Sequence, residues 1–92
     1  MKTAMFSRNS TALWDKLRGE YVLNRAQLEV LAAGLEARDR AMECRARIDA
    51  EGLTVENQRG DLRPHPLLSV ERDSRAAFVH ALQRLGLHLP AE

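Results

Sequence analysis

Apolar residues recur along most of the chain at intervals of about three and four, the spacing that places side chains on one face of an α-helix. This pattern predicts three helices. The first extends from about Thr11 to Val22, and the side chain of Ser10 or Thr11 is expected to accept a hydrogen bond from the first turn. Its apolar face consists of Leu13, Trp14, Leu17 and Tyr21.

The second helix has recognisable signals at both ends. Asn24 and Gln27 form an N-x-x-Q pair close to a capping box, in which each side chain binds a free backbone N–H at the start of the helix. Gly52 is expected to close the helix in the left-handed conformation, with Leu53 folded back onto it. The helix between these signals is Arg25–Glu51, which is about 40 Å long.

The second helix has two apolar stripes, and two stripes imply two neighbours. The leucine-rich stripe is expected to hold the rest of the same chain, and it comprises Leu28, Leu31, Leu35 and Met42. The other stripe is dominated by small side chains, and it comprises Val30, Ala33, Ala37, Ala41, Cys44 and Ile48. Small residues let another helix approach closely, so we expect this stripe to join copies of the chain through Val30, Ala33, Ala37 and Ala41. The alternative is that both stripes belong to the core of a single chain.

A polar connection follows at about residues 52–65, where turn-forming residues and two prolines delay the next helix. The third helix begins at or soon after Pro66 and ends at Gly86. The predicted fold is therefore all-α: a helical hairpin built on one long central helix, flanked by a short N-terminal helix and a C-terminal helix, with an irregular loop at about 52–65.

The same pattern predicts one structural domain. We expect a flexible N-terminal segment at residues 1–10, a single helical domain at 11–87 and a flexible tail at 88–92. The helices should be held together by a core of Leu28, Leu31, Leu35, Phe78, Leu82 and Leu85.

Composition narrows the class of protein. Aromatic residues make up 4% of the 92 residues, and the abundance of Leu and Ala favours helices over sheets. A chain of this length buries only about 60–65% of the surface of its unfolded form, so association would add stability. With Cys44 as the single cysteine, an intrachain disulfide and a cysteine-built zinc site are excluded. Apolar runs fall far short of the roughly 20 residues that cross a bilayer, which favours a soluble, cytoplasmic protein.

We expect no catalytic, cofactor-binding or metal-binding residues. The five glycines are isolated from one another and form no phosphate-binding loop, and no G-x-S-x-G nucleophile motif is present. Cys44 lies in the small-residue stripe, where a buried thiol is the ordinary expectation. His65, His80 and His88 lack the three- or four-residue spacing that helical metal sites favour. His65, which lies between two prolines, is expected to be structural, with its ring capping the third helix. The carboxylates are expected on solvated helix surfaces.

The charge distribution is nearly balanced. The formal net charge is +1, and the largest local excess is two positive charges in residues 1–24. Nucleic-acid-binding modules usually concentrate positive charge on one face. A single copy of this chain is therefore not expected to bind DNA strongly.

Three stretches, read in order, resemble one protein family. The first is LWD at 13–15 with YVL at 21–23, and the second is IDAEGLTV at 48–55 with RG at 59–60. The third is RPHPLL at 63–68 with VERD at 70–73, ending in LGL at 85–87. Together they resemble the small terminase subunits of double-stranded-DNA phages and prophages.

The resemblance implies a non-catalytic role in genome packaging. In that family the small subunit forms an oligomer, recognises the viral DNA and delivers it to the large subunit, which carries the ATPase and the nuclease. For this chain it implies a homo-oligomer, the large terminase subunit as a partner, and a contact with double-stranded DNA that is weak or requires the oligomer. The candidate DNA-binding residues are Lys2, Arg8, Lys16, Arg18, Arg59 and Arg63.

A second hypothesis rests on the short segment before the first helix. Members of the family often begin with a longer basic, proline-containing segment, and here about ten residues precede the helix. The alternative function is a shortened adaptor from a prophage or satellite, which binds or redirects a terminase without itself binding DNA.

Overall fold

The computed structural model describes residues 6–87, so the predictions for Lys2 and for the tail at 88–92 lie outside the described residues. The described chain forms three helices and two short strands. These are α1 (Arg8–Glu20), α2 (Arg25–Glu51), β1 (Thr54–Glu56), β2 (Leu62–Pro64) and α3 (Leu67–Leu85).

The helix α2 is the long central helix, and both α1 and α3 pack against it. Its bounds are those that the sequence predicts, and the capping box is present: Asn24 Oδ1 accepts from the Gln27 N–H at 2.8 Å, and Gln27 Oε1 accepts from the Asn24 N–H at 2.9 Å. The helix α3 is antiparallel to α2, because Ser74 contacts Arg40 whereas the later Ala81 lies against Gly34. The helix α1 packs against the first half of α2.

The helix α1 begins three residues earlier than predicted, at Arg8, and ends at Glu20. Ser7 is its cap, with Oγ accepting from the Ser10 N–H at 3.2 Å. Ser10 is fully buried inside the helix and does not cap it. The observed cap precedes the predicted one because Ser7 is held by a contact with α2. Local sequence does not reveal such a long-range contact.

The predicted irregular loop is wrong, and with it the all-α class. The strands β1 and β2 pair antiparallel, with Thr54 opposite Pro64 and Glu56 opposite Leu62. The molecule is therefore mostly helical with a small two-stranded sheet. A turn from Asn57 to Asp61 joins the strands: Asn57 Oδ1 accepts from two backbone N–H groups, and Gly60 has φ +84°.

The junction between α2 and β1 also differs from the prediction. Gly52 has the positive φ expected, +95°, but its ψ of 164° is extended, so the chain leaves the helix as a strand. Leu53 therefore does not fold back onto α2, and 64% of it is exposed. At the other end of the molecule, Gly86 adopts the left-handed conformation predicted for the close of α3.

The core joins all three helices. Leu31 and Leu35 of α2 are fully buried, and the predicted core residues Leu28 and Leu85 pack against them from partly exposed positions. The remaining buried members of this cluster are Trp14, Leu17, Phe78, Leu82 and Leu87. The predicted core is thus confirmed, and α1 contributes Trp14 and Leu17 to it.

Candidate interaction surfaces

A polar network attaches the start of α1 to the middle of α2. The Asp39 carboxylate accepts from the Ser7 backbone N–H at 2.8 Å, and from the Ser7 and Ser10 hydroxyls at 2.6 Å each. The Arg38 guanidinium donates to Ser10 Oγ at 2.8 Å. The prediction that the carboxylates lie on solvated surface is wrong for Asp39, which is partly buried and binds the start of α1, and for Glu71, which is buried.

The network also sets the ionisation of Asp39. Burial alone would raise the pKa of this carboxyl, but the hydrogen bonds from Ser10 and Ser7 and the charge of Arg38 lower it below its ordinary value. The carboxylate form is therefore the one that holds α1 in place.

A second polar site fastens the hairpin to the helices. His65 is 4% exposed; its Nδ1 accepts from the Leu67 N–H at 3.0 Å, and its Nε2 lies 2.7 Å from Glu51 Oε1. The predicted role of the His65 ring as a cap of α3 is confirmed by this contact. Because Nδ1 accepts, Nε2 carries the proton and donates to Glu51. This hydrogen bond lowers the pKa of the Glu51 carboxyl.

The predicted interface residues do not form one exposed face. Ala37 is 3% exposed and Ala41 is 7% exposed, so both are buried inside the single chain. Val30 is half-buried and Ala33 is exposed. These two line a shallow groove with Gly34, Ala77, His80, Ala81 and Arg84, which we call the alanine groove. A contact between copies through Val30 and Ala33 stays a prediction.

The described members of the predicted DNA-binding set fall into two separate groups. Arg8, Lys16 and Arg18 are exposed on α1, and the Arg18 guanidinium lies 5.6 Å from the centroid of the Trp14 ring. Arg59 and Arg63 are exposed on the hairpin, at the opposite end of α2 from the connection between α1 and α2. The structure brings neither group into contact with the other.

A second groove lies on the side of α2 and α3 beyond the start of α1, with a volume of about 530 Å³, similar to that of the alanine groove. We call it the arginine groove. Its apolar floor consists of Ala41, Met42, Ala46 and Phe78, and its charged rim consists of Arg38, Arg45, Arg75, Asp49 and Glu71.

One buried carboxylate organises the rim of the arginine groove. Glu71 is 7% exposed, and its two carboxylate oxygens lie 3.7 Å from Arg45 and 3.7 Å from Arg75. The sequence does contain a signal for one of these pairs, since Glu71 and Arg75 are four residues apart on a helix. The contact with Arg45 depends on how α3 packs against α2, so sequence reasoning missed the groove.

Other chemistry can be reported briefly for the described part of the chain. Cys44 is buried with a free thiol, as the sequence suggests. Within residues 6–87, no group of three or more His, Cys, Asp or Glu side chains is placed to hold a metal ion. None of the three helices there is both long and apolar enough to span a bilayer.

Comparison with known protein families gives a match over most of the chain. The family described as "Phage terminase, small subunit" matches residues 11–92, which include α2, the hairpin, α3 and all but the first turn of α1. No curated protein and no solved structure matches the chain significantly. The family match covers most of the chain.

Proposed function

The chain belongs to the family of phage terminase small subunits, a family with a role in phage DNA packaging, and from that premise we propose that it is a non-catalytic subunit of a packaging motor. In this proposal the chain assembles into an oligomer, recognises viral DNA and delivers it to the large terminase subunit. The observation that carries the proposal is the family match over residues 11–92.

The alanine groove supports self-assembly. Ala33 and Ala77 expose small side chains beside the close crossing of α2 and α3, so a helix of a second copy meets little steric obstruction there. Val30 adds apolar surface that a second copy would remove from water.

The dispersed positive charge supports DNA binding by an oligomer. Arg8, Lys16 and Arg18 are all exposed on α1, and several copies would repeat this weak positive surface around an assembly. Phosphate contacts add across copies, so weak charges become effective only when the copies are held together.

The proposal is tested by the native mass of the chain alone, with the large terminase subunit of the same phage, and with viral DNA. We expect a discrete multiple of the chain mass and a complex with each partner. A strictly monomeric chain with no affinity for either partner would overturn the proposal. An oligomer that binds the large subunit and not DNA would indicate an adaptor instead.

The DNA contact is tested with a variant in which Lys2, Arg8, Lys16 and Arg18 are changed to Gln. Each lost phosphate contact should reduce the slope of log K against log salt by about 0.9. The matched control is the Arg59→Gln, Arg63→Gln variant, which changes the hairpin instead. Equal affinity of the first variant and the parent across the salt series would remove α1 from the DNA-binding surface.

A further inference from the structure

The arginine groove lies on the same side of α2 as α1, just beyond the start of α1. The helix α1 covers the first half of α2, and it begins where its cap, Ser7, binds Asp39. From Arg38 to Asp49 the same side of α2 faces an open groove, which α3 borders along 71–78. At about 1.5 Å per residue this stretch is about 17 Å long, enough for about three turns of another helix.

The surface of the groove has two kinds of chemistry. Met42 is 40% exposed above a floor of alanines and the Phe78 ring, which is apolar surface that a partner helix would cover. Arg45 and Arg75 have side chains that are 51% and 57% exposed, and each contributes one nitrogen to its ion pair with Glu71. A guanidinium has five N–H donors, so the contact with Glu71 occupies only part of the hydrogen-bonding capacity of each arginine.

We propose that the arginine groove binds an amphipathic helix of a partner protein, with acidic residues beside its apolar face. The apolar face would cover Met42 and Ala46, and the carboxylates would pair with Arg45 and Arg75. This is the helix-in-groove mode of recognition, and the guanidinium geometry suits carboxylates. The inference rests on the proposed function, in which the protein partner is the large terminase subunit.

A second copy of this chain fits the groove less well. The helices α1 and α3 each carry three Lys or Arg residues against two Asp or Glu, and α2 carries five against six. The exposed acidic row of α2, at positions 29, 36 and 43, alternates with Arg40 and Arg47, so a second copy would also bring positive charge to the arginines of the rim.

DNA also fits the groove less well. The apolar floor of the groove provides no donor to a phosphate oxygen, so DNA would leave that floor without a matching surface. The mixed surface favours a protein helix that buries apolar side chains and pairs with the arginines at once.

A pair of variants at Ala46 tests the charge of the occupant. Ala46 is exposed on the groove floor and touches neither ion pair of Glu71, so both substitutions should leave the fold intact. Ala46→Glu should weaken binding of the large subunit by about tenfold or more through like-charge repulsion, while Ala46→Lys should bind at least as well as the parent. The inference would be overturned if both variants weakened binding of the large subunit equally, or if neither variant weakened it.

Crosslinking identifies the occupant directly. Met42 is replaced by a photo-crosslinking phenylalanine derivative in the full chain, mixed with the large subunit and viral DNA, and Ala76 on the exposed face of α3 is the control position. We expect crosslinks from position 42, and not from position 76, to an acidic helical segment of the large subunit.

The other outcomes separate this inference from the proposed function. Crosslinks from position 42 to a second copy, to DNA or to the segment before Phe6 would overturn the inference and leave the packaging role standing. So would a complex with the large subunit that yields no crosslink at position 42. Failure of the parent chain to bind the large subunit at all would contradict the proposed function itself.

Discussion

At the scale of single residues, the missing side chain of Gly34 sets how closely α2 and α3 approach. A Cβ at this position would lie 2.7 Å from Ala81 Cβ, closer than real Cβ contacts. Gly34→Ala should therefore destabilise the chain by about 1–3 kcal/mol through overpacking, which exceeds the gain of up to about 1 kcal/mol in helix propensity. Urea unfolding measures the effect.

Two further variants isolate the cause. Gly19 has no atom within 4 Å of an added Cβ, so Gly19→Ala should stabilise α1 by up to about 1 kcal/mol. Adding Ala81→Gly to Gly34→Ala should recover part of the lost stability, because it empties the space that the new methyl needs. A Gly34→Ala variant as stable as Gly19→Ala would show that the helices separate without cost.

The sequence alone does not reveal that Gly34 allows α2 and α3 to approach closely. It is one of five isolated glycines, and its role depends on Ala81, which is 47 positions later. Asp39 is a similar case, since the serines that bind it precede it by 32 and 29 positions. Both assignments require the packing of helices, which a pattern along one helix does not contain.

At the scale of elements, the signals that lie within a few residues of one another were the ones that predicted structure correctly. Asn24 with Gln27 fixed the start of α2, and Gly86 fixed the end of α3. The hairpin was missed because its strands are only three residues each, too short for an alternating pattern to stand out. The start of α1 was missed because its cap, Ser7, depends on Asp39.

The attachment of the hairpin rests on His65, and its loss should be measurable. His65→Ala removes the acceptor of the Leu67 N–H and the donor to Glu51, which should cost about 1–3 kcal/mol in the free energy of unfolding. His65→Asn retains an acceptor near the Nδ1 position and should lose less. His80→Ala, at an exposed position, should change stability by less than about 0.5 kcal/mol.

The same contact predicts a pH dependence with a definite sign. The folded-state pKa of Glu51 is lowered below its ordinary value of 4.5, so its stabilising contribution is present above that pH and is lost as the pH falls through the lowered pKa. The stability difference between the parent and His65→Ala should therefore narrow below about pH 4.5. A difference that stays constant from pH 7 to pH 3 would show that Glu51 does not contribute.

At the scale of the whole molecule, the fold is long for its size. The principal extents are 54 × 27 × 23 Å, and the radius of gyration is 15.9 Å, against about 12 Å for a compact domain of this length. An elongated layer of three helices leaves much of α2 and α3 open on both sides, which is where the alanine groove and the arginine groove lie. The two grooves are separate surfaces, because they share no lining residue.

Association through the alanine groove can be separated from folding by two substitutions on the same helix. Ala33→Glu, at an exposed position, should lower the oligomer mass by light scattering and leave the helix content by circular dichroism unchanged. Ala37→Glu inserts a charge where the side chain is 3% exposed, so it should destabilise the single chain by about 2–4 kcal/mol and reduce helix content as well. Ala76→Glu, exposed on the outer face of α3, is the control that should change neither quantity. An unchanged mass for Ala33→Glu would place the contact between copies elsewhere on the molecule.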